Sequence, residues 1–266
     1  MRSLIVKSIF TISLFWISSG VSASDDIPTP FYTIPAHTII NSERAYNPVS
    51  GIAPISLNQN RLGISYSNRY LMKETNTFLG FGSYNLKFVS IGFSANYFGN
   101  QSFWYSTQSF LLAKKLNDKI SVGVAFSHTI VDQGAQYSTI HQYVPSLGLS
   151  IKPMKTWQLS SVLRNISHQQ TASYGYNDFV LGLRYFVKNI SIHTQVEKMQ
   201  KTKTQIDFMG EYDINQKVYF LLRTSTGYEP LSFGVECKYS RFSMFFMFSY
   251  HTKLGTSPEV SMYKSW

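Results

Sequence analysis

The stretch Leu231–Tyr250, LSFGVECKYSRFSMFFMFSY, decides the fold. Counted by twos, Leu231, Phe233, Val235, Cys237 and Tyr239 share one face. Ser232, Gly234, Glu236 and Lys238 share the other. After Ser240 the pattern resumes, with Phe242, Met244, Phe246, Phe248 and Tyr250 in one row. Successive side chains of a strand point to opposite faces, so a period of two reads as two β-strands joined by a tight turn at Ser240.

The same alternation recurs upstream. Ile206, Phe208, Gly210 and Tyr212 oppose Gln205, Asp207, Met209 and Glu211. Ile190, Ile192, Thr194 and Val196 oppose Ser191, His193, Gln195 and Glu197. Val122, Val124 and Phe126 oppose Ser121, Gly123, Ala125 and Ser127; Val89, Ile91, Phe93, Ala95 and Tyr97 oppose Phe88, Ser90, Gly92 and Ser94. A soluble β-sandwich alternates in the same way, so three further features decide. The apolar face carries bulky Phe, Tyr or Ile on almost every segment. The polar face repeatedly carries Gly, Ser and charged residues. The connections alternate between tight turns and looser loops. Turns fall near Asn85, Asn117-Asp118, Pro153-Met154, Asn189, Asn215-Gln216 and Ser240, and the looser connections include Val131–Ile140 and His168–Tyr176. Short turns on one rim and longer loops on the other mark an outer-membrane barrel.

The expected fold is therefore an all-β transmembrane antiparallel barrel of about fourteen strands, with twelve to sixteen open, over residues 59–266. The first, fourth and last strands are expected at about 60–71, 102–115 and 257–266. The sandwich alternative makes the opposite demand on particular residues. It would pack Phe233, Phe246 and Ile192 between two sheets and leave Glu236 and Glu197 in bulk solvent.

Composition agrees with a membrane barrel. The chain has 20 Phe, 18 Tyr and 4 Trp but only 14% charged residues, few for a soluble surface. No segment after the N-terminus is an apolar stretch of helix-spanning length, and the mean hydropathy is −0.10. The N-terminus reads as a secretory signal: Arg2 and Lys7, an apolar Ile9–Ile17, then Val21-Ser22-Ala23 before the cleavage site. The expected segments are a signal peptide over 1–23 and an N-terminal periplasmic or plug segment over 24–58. Residues 24–58 hold Pro28, Pro30, Pro35, Pro48 and Pro54 and lack alternation. Loss of Arg2 and Lys7 takes the formal charge from +10 to +8.

The basic balance points to anionic lipid headgroups and lipopolysaccharide around the rim lysines, since no nucleic-acid-binding motif is present. Single Cys237 excludes an internal disulfide and a cysteine metal cluster, and its apolar row makes it a small hydrophobe. No G-x-S-x-G elbow, glycine-rich phosphate loop or metal-ligand spacing occurs, so neither a catalytic site nor a metal or cofactor is expected.

The inward face reads as two walls. Early strands offer small residues: Gly63, Ser65, Gly80, Gly82, Ser90, Gly92, Ser94, Gly123, Ala125, Ser127, Ser146, Gly148 and Ser150. Late strands offer charges: Arg164, Arg184, His193, Glu197, Asp207, Glu211, Arg223, Glu236 and Lys238. These charges read either as a self-satisfying lumen network or as a polar route for a ligand, because buried charges need partners in both cases.

Several motifs resemble a known group. Asn47-Pro48-Val49-Ser50-Gly51-Ile52-Ala53 resembles the Asn-Pro-Ala motif before the first strand of FadL-like and PorV/PorQ-like outer-membrane barrels, with Asn47, Pro48 and Gly51 as its motif residues. Leu147-Gly148-Leu149, Pro153, Leu159 and Leu163-Arg164-Asn165-Ile166 are similar to that group's central pattern. His251–Gly255 followed by Val260–Tyr263 resembles the end of PorQ-like chains, and PorP/SprF-like proteins share the Asn-Pro-Ala feature. The resemblance implies fourteen strands, a Bacteroidota-type host and either type IX secretion or passage of hydrophobic molecules. Trp266 suits the aromatic end read by barrel-insertion machinery.

The expected role is a non-enzymatic interaction or secretion component, with secretion-machine subunits or secreted cargo as partners. The alternatives are a FadL-like channel for small or hydrophobic solutes and a barrel-embedded hydrolase. If the N-terminal segment docks against the small-residue wall, deleting residues 25–50 raises the permeability of the folded barrel to small solutes in liposome swelling. Unchanged permeability would count against a plug.

Overall fold

The computed structural model describes residues 60–266 except 73–74, 87, 133, 135–138, 165–177, 200–203 and 227–230. The expected signal peptide, the 24–58 segment with Asn47, Pro48 and Gly51, and the whole His168–Tyr176 loop lie outside the described residues.

Fourteen strands follow one another. The first seven are β1 (Arg61–Asn68), β2 (Asn76–Asn85), β3 (Ser90–Gly99), β4 (Trp104–Lys115), β5 (Ile120–Asp132), β6 (Ile140–Met154) and β7 (Trp157–Arg164). The second seven are β8 (Asp178–Val187), β9 (Ile190–Met199), β10 (Gln205–Asp213), β11 (Val218–Ser225), β12 (Leu231–Tyr239), β13 (Phe242–His251) and β14 (Gly255–Ser265). Each pairs antiparallel with its sequence neighbour, and β1 pairs with β14 to close the ring. Closure runs from Arg61↔Ser265 to Ser67↔Glu259, and the Trp266 N–H donates to the Asn60 carbonyl at 3.1 Å. No sheet edge is left to face lipid, which could not satisfy it.

Exposure separates a barrel from a sandwich. Phe233, Phe246 and Ile192 are 47%, 38% and 37% exposed, whereas Glu236 is 0% and Glu197 8% exposed. Greasy side chains look out and ionic ones look in, which excludes the sandwich. Aromatic residues mark both ends of the outer face. Trp157 and Tyr185 lie 4.6 Å apart by the tight turns, and Tyr97 and Trp104 stack at 5.9 Å by the far rim.

The six expected tight turns all fall at or beside a hairpin between an even strand and the next odd one. They share a rim with both ends of the barrel. Side chains close several of them: Asn117 Oδ1 accepts the Lys119 and Ile120 N–H groups at 2.8 Å, and Asn215 Oδ1 those of Lys217 and Val218. Lys188, Gln216 and Ser240 take left-handed φ values of 49°, 64° and 56° at three of these turns.

One strand departs from expectation. On β2 the sequence reading placed Gly80 and Gly82 inward, but the register Gly63↔Phe81 and Arg61↔Ser83 turns them outward. Phe81 is instead 1% exposed inside the barrel. The residues of β2 are apolar on both parities, with Phe78, Phe81 and Tyr84, so alternation could not choose a face. Pairing chooses it, because Gly63 makes room for the Phe81 ring: a Cβ on Gly63 would stand 2.5 Å from Phe81 Cζ. Outside, the Phe93 ring covers Gly82.

The outer face makes a depth-dependent prediction. Phe233→Arg, in mid-strand, should cost about 2–4 kcal/mol, and Tyr239→Arg, at the rim, about 0–1 kcal/mol. Denaturant titration of the barrel folded in lipid vesicles measures both.

Candidate functional site in the barrel lumen

The described odd-numbered side chains of β9, β10 and β11 from Ser191 to Glu197 and from Gln205 to Ser225, and the even-numbered ones of β7, of β8 from Val180 on and of β12, face the lumen. Sequence parity thus delivers all nine expected charged residues to one continuous wall. The structure joins them in four groups. Arg164 reaches over β8 to Glu197 at 3.6 Å. Arg184 and His193 both face Glu211, at 3.4 Å and 3.5 Å. Arg223 donates from Nη2 and Nε to Asp207 Oδ1, at 2.8 Å and 3.3 Å, and Gln205 donates to the same carboxylate at 3.1 Å. Lys238 stands 3.8 Å from Glu236, which also accepts the Tyr263 hydroxyl.

Each carboxylate has a cation beside it because a buried charge without one would cost several kcal/mol. Arg184, 2% exposed, also lies over the Phe186 ring at 4.1 Å, and Lys238 over that of Tyr219 at 4.5 Å. Gln195 sits between the groups in register with Gly182 and Asp207. Among the described residues neither of its amide atoms has a hydrogen-bond partner, although the side chain is buried.

The small wall satisfies itself by cross-strand hydroxyl pairs. Ser109 donates to Ser127 at 2.8 Å, Ser261 to Ser65 at 2.8 Å and Gln158 to Ser150 at 3.0 Å. Sequence reading missed the third component, two apolar patches on the lumen face. Leu111, Ala113, Ala125, Val162 and Val180 form one. Met209, Leu221, Phe245 and Met247 form the other, over Gly234, whose Cβ would meet the Phe245 ring at 3.0 Å. The available signal was the doubly apolar runs Leu111-Leu112 and Met244–Phe248, in which both parities are apolar.

Chemically the wall combines paired charges with packed apolar patches. His193 is committed to Glu211, and among the described residues no three His, Cys, Asp or Glu side chains gather as metal ligands.

No family model matches the chain, and no curated protein matches it. Solved structures do. The monoaromatic hydrocarbon channel CymD aligns over 87% of this chain and 92% of its own, at 11% identity and a TM-score of 0.55. The Acinetobacter baumannii outer membrane protein Omp33 aligns over 78% and 98%, at 9% identity and 0.53. The Ralstonia pickettii toluene transporter TbuX aligns over 80% and 90%, at 10% identity and 0.52. The chain has the fold of an outer-membrane barrel. At these identities the likeness is one of fold alone. Within such a barrel the charged wall is a structural element as well as a candidate site.

Removing one partner shows how far the wall holds itself together. Arg223→Met leaves Asp207 buried with fewer donors and should cost about 3–5 kcal/mol in a lipid refolding titration. Adding Asp207→Leu should recover most of that loss.

Proposed function

We propose that this barrel is a non-enzymatic outer-membrane channel for small apolar solutes. The observation that carries the reading is the apolar lumen face. A water-filled porin lines its interior with polar side chains. Here Leu111, Val162 and Val180 on one side, and Leu221, Phe245 and Met247 on the other, flank charges already paired to one another. Such a wall gives an apolar solute contact without requiring it to displace water from open charges.

The fold likeness to CymD and TbuX, a hydrocarbon channel and a toluene transporter by name, supports the same reading. Secretion work, the other role implied by the sequence resemblance, draws on motifs of which Asn47, Pro48 and Gly51 lie outside the described residues. No feature of the lumen wall favours it.

The test uses a Gram-negative host with intact lipopolysaccharide and no other hydrocarbon channel. Expression of the full chain should raise accumulation of radiolabelled toluene. The pair Leu111→Asn and Met247→Asn should lower that gain by at least roughly tenfold, since each replaces apolar lumen surface with a polar amide. Liposome swelling with sugars should stay slow. Rapid sugar entry with no gain in toluene would mark a water-filled porin and end the proposal.

A further inference from the structure

Among the described residues the two rims of the barrel differ in charge. On the rim of the tight turns one exposed cation stands at each of four consecutive hairpins: Lys155, Lys188, Lys217 and Arg241. Lys114 and Lys264 add two more at the ends of β4 and β14. Among the described residues the carboxylates of these turns are Asp118, taken by Lys115 at 2.8 Å, and Asp213, which accepts the Gln216 N–H. On the opposite rim the described cations Arg69, Lys198 and Lys253 are balanced more closely by Asp132 and Glu259.

Two of the six cations show where the charge is used. Lys114 continues the outward row of Leu112 and Phe110, and Lys264 that of Met262 and Val260. These rows face hydrocarbon. A lysine that ends such a row lays its stem along the apolar surface and lifts its ammonium to the headgroup layer. Lys264 Nζ lies 5.6 Å above the Phe242 ring, at the level of the aromatic belt. The four turn cations stand two strand widths apart, roughly 10 Å, so each can meet a separate headgroup.

We propose that the short-turn rim is a binding surface for anionic glycerophospholipid headgroups of the leaflet that borders it. The shared chemistry is a phosphate diester beside a ring of ammonium and guanidinium groups, attracted additively and screened by salt. An acidic protein could meet the turn cations, but it would not use Lys114 and Lys264, whose stems run beside lipid. The opposite rim, where lipopolysaccharide lies in an outer membrane, has no comparable excess of cations among its described residues. The proposal is independent of what passes through the lumen.

The experiment uses the full chain, folded in detergent and checked by its heat-dependent gel migration. It is equilibrated with equal amounts of phosphatidylglycerol and phosphatidylethanolamine, and the retained lipids are counted by native mass spectrometry. The native chain should retain phosphatidylglycerol preferentially, less so at high salt. A variant with Lys114, Lys155, Lys188, Lys217, Arg241 and Lys264 all changed to Gln should lose at least about fivefold of that preference. A far-rim variant, Arg69→Gln with Lys198→Gln and Lys253→Gln, should keep it. If the sixfold variant does not fold, Lys188→Gln with Lys217→Gln is read in the same way, and a partial loss is expected. Equal retention by the native chain, a preference that survives the rim substitutions, or one lost only in the far-rim variant would overturn the proposal. Binding of polyglutamate without any lipid preference would do the same and point to a protein partner.

Discussion

Hydrocarbon offers no partner to a backbone N–H or carbonyl, and the pairing of β1 with β14 answers that constraint for the whole molecule. Everything else follows from keeping the ring closed. Fourteen antiparallel strands bring both barrel ends to one rim. The same closure gives every strand two neighbours and two environments. One face must tolerate lipid and the other an enclosed interior, so a single register error would turn a row of phenylalanines inward and a row of charges outward.

The interior then poses its own problem. Charges held away from bulk water are stable only when paired, and the lumen wall of β7 to β12 pairs them across one or two strands. Serine hydroxyls settle the neighbouring strands by bonding to each other. With polar groups so committed, the residues packed between them, Leu111, Val162, Val180, Leu221, Phe245 and Met247, give the lumen wall an apolar surface. That surface is what ties the fold to the proposed channel role. It also separates the inner chemistry from the outer rim, where cations face headgroups rather than one another.

Glycine shows how locally such a structure is tuned. Gly63 admits the Phe81 ring inside the barrel, while Gly82, one position along β2, lies under Phe93 on the lipid side. Small residues in a strand therefore do not by themselves identify the inner wall. They mark places where a large neighbour must lie down, on either face.

How much was legible in the amino-acid order depends on how cleanly each strand alternates. Leu231–Tyr250 carries one apolar parity per strand in its first half, and its faces, its turn at Ser240 and the inward course of Glu236 and Lys238 follow from period two alone. The nine charged positions reach the lumen for the same reason. Where both parities are apolar, as in Asn76–Asn85 and at Leu111-Leu112, the sequence holds no preference, and hydrogen-bond register with the neighbouring strand chooses. Which charge meets which was equally unreadable. Arg184 and Glu211 are 27 residues apart, with β9 between their strands, and only the stagger of closed strands sets them 3.4 Å from each other. Alternation is a property of each segment, so the chain by itself determined the strands and most of their faces. Register and proximity belong to pairs of segments, so only the closed barrel decided the lumen's contacts and its apolar patches.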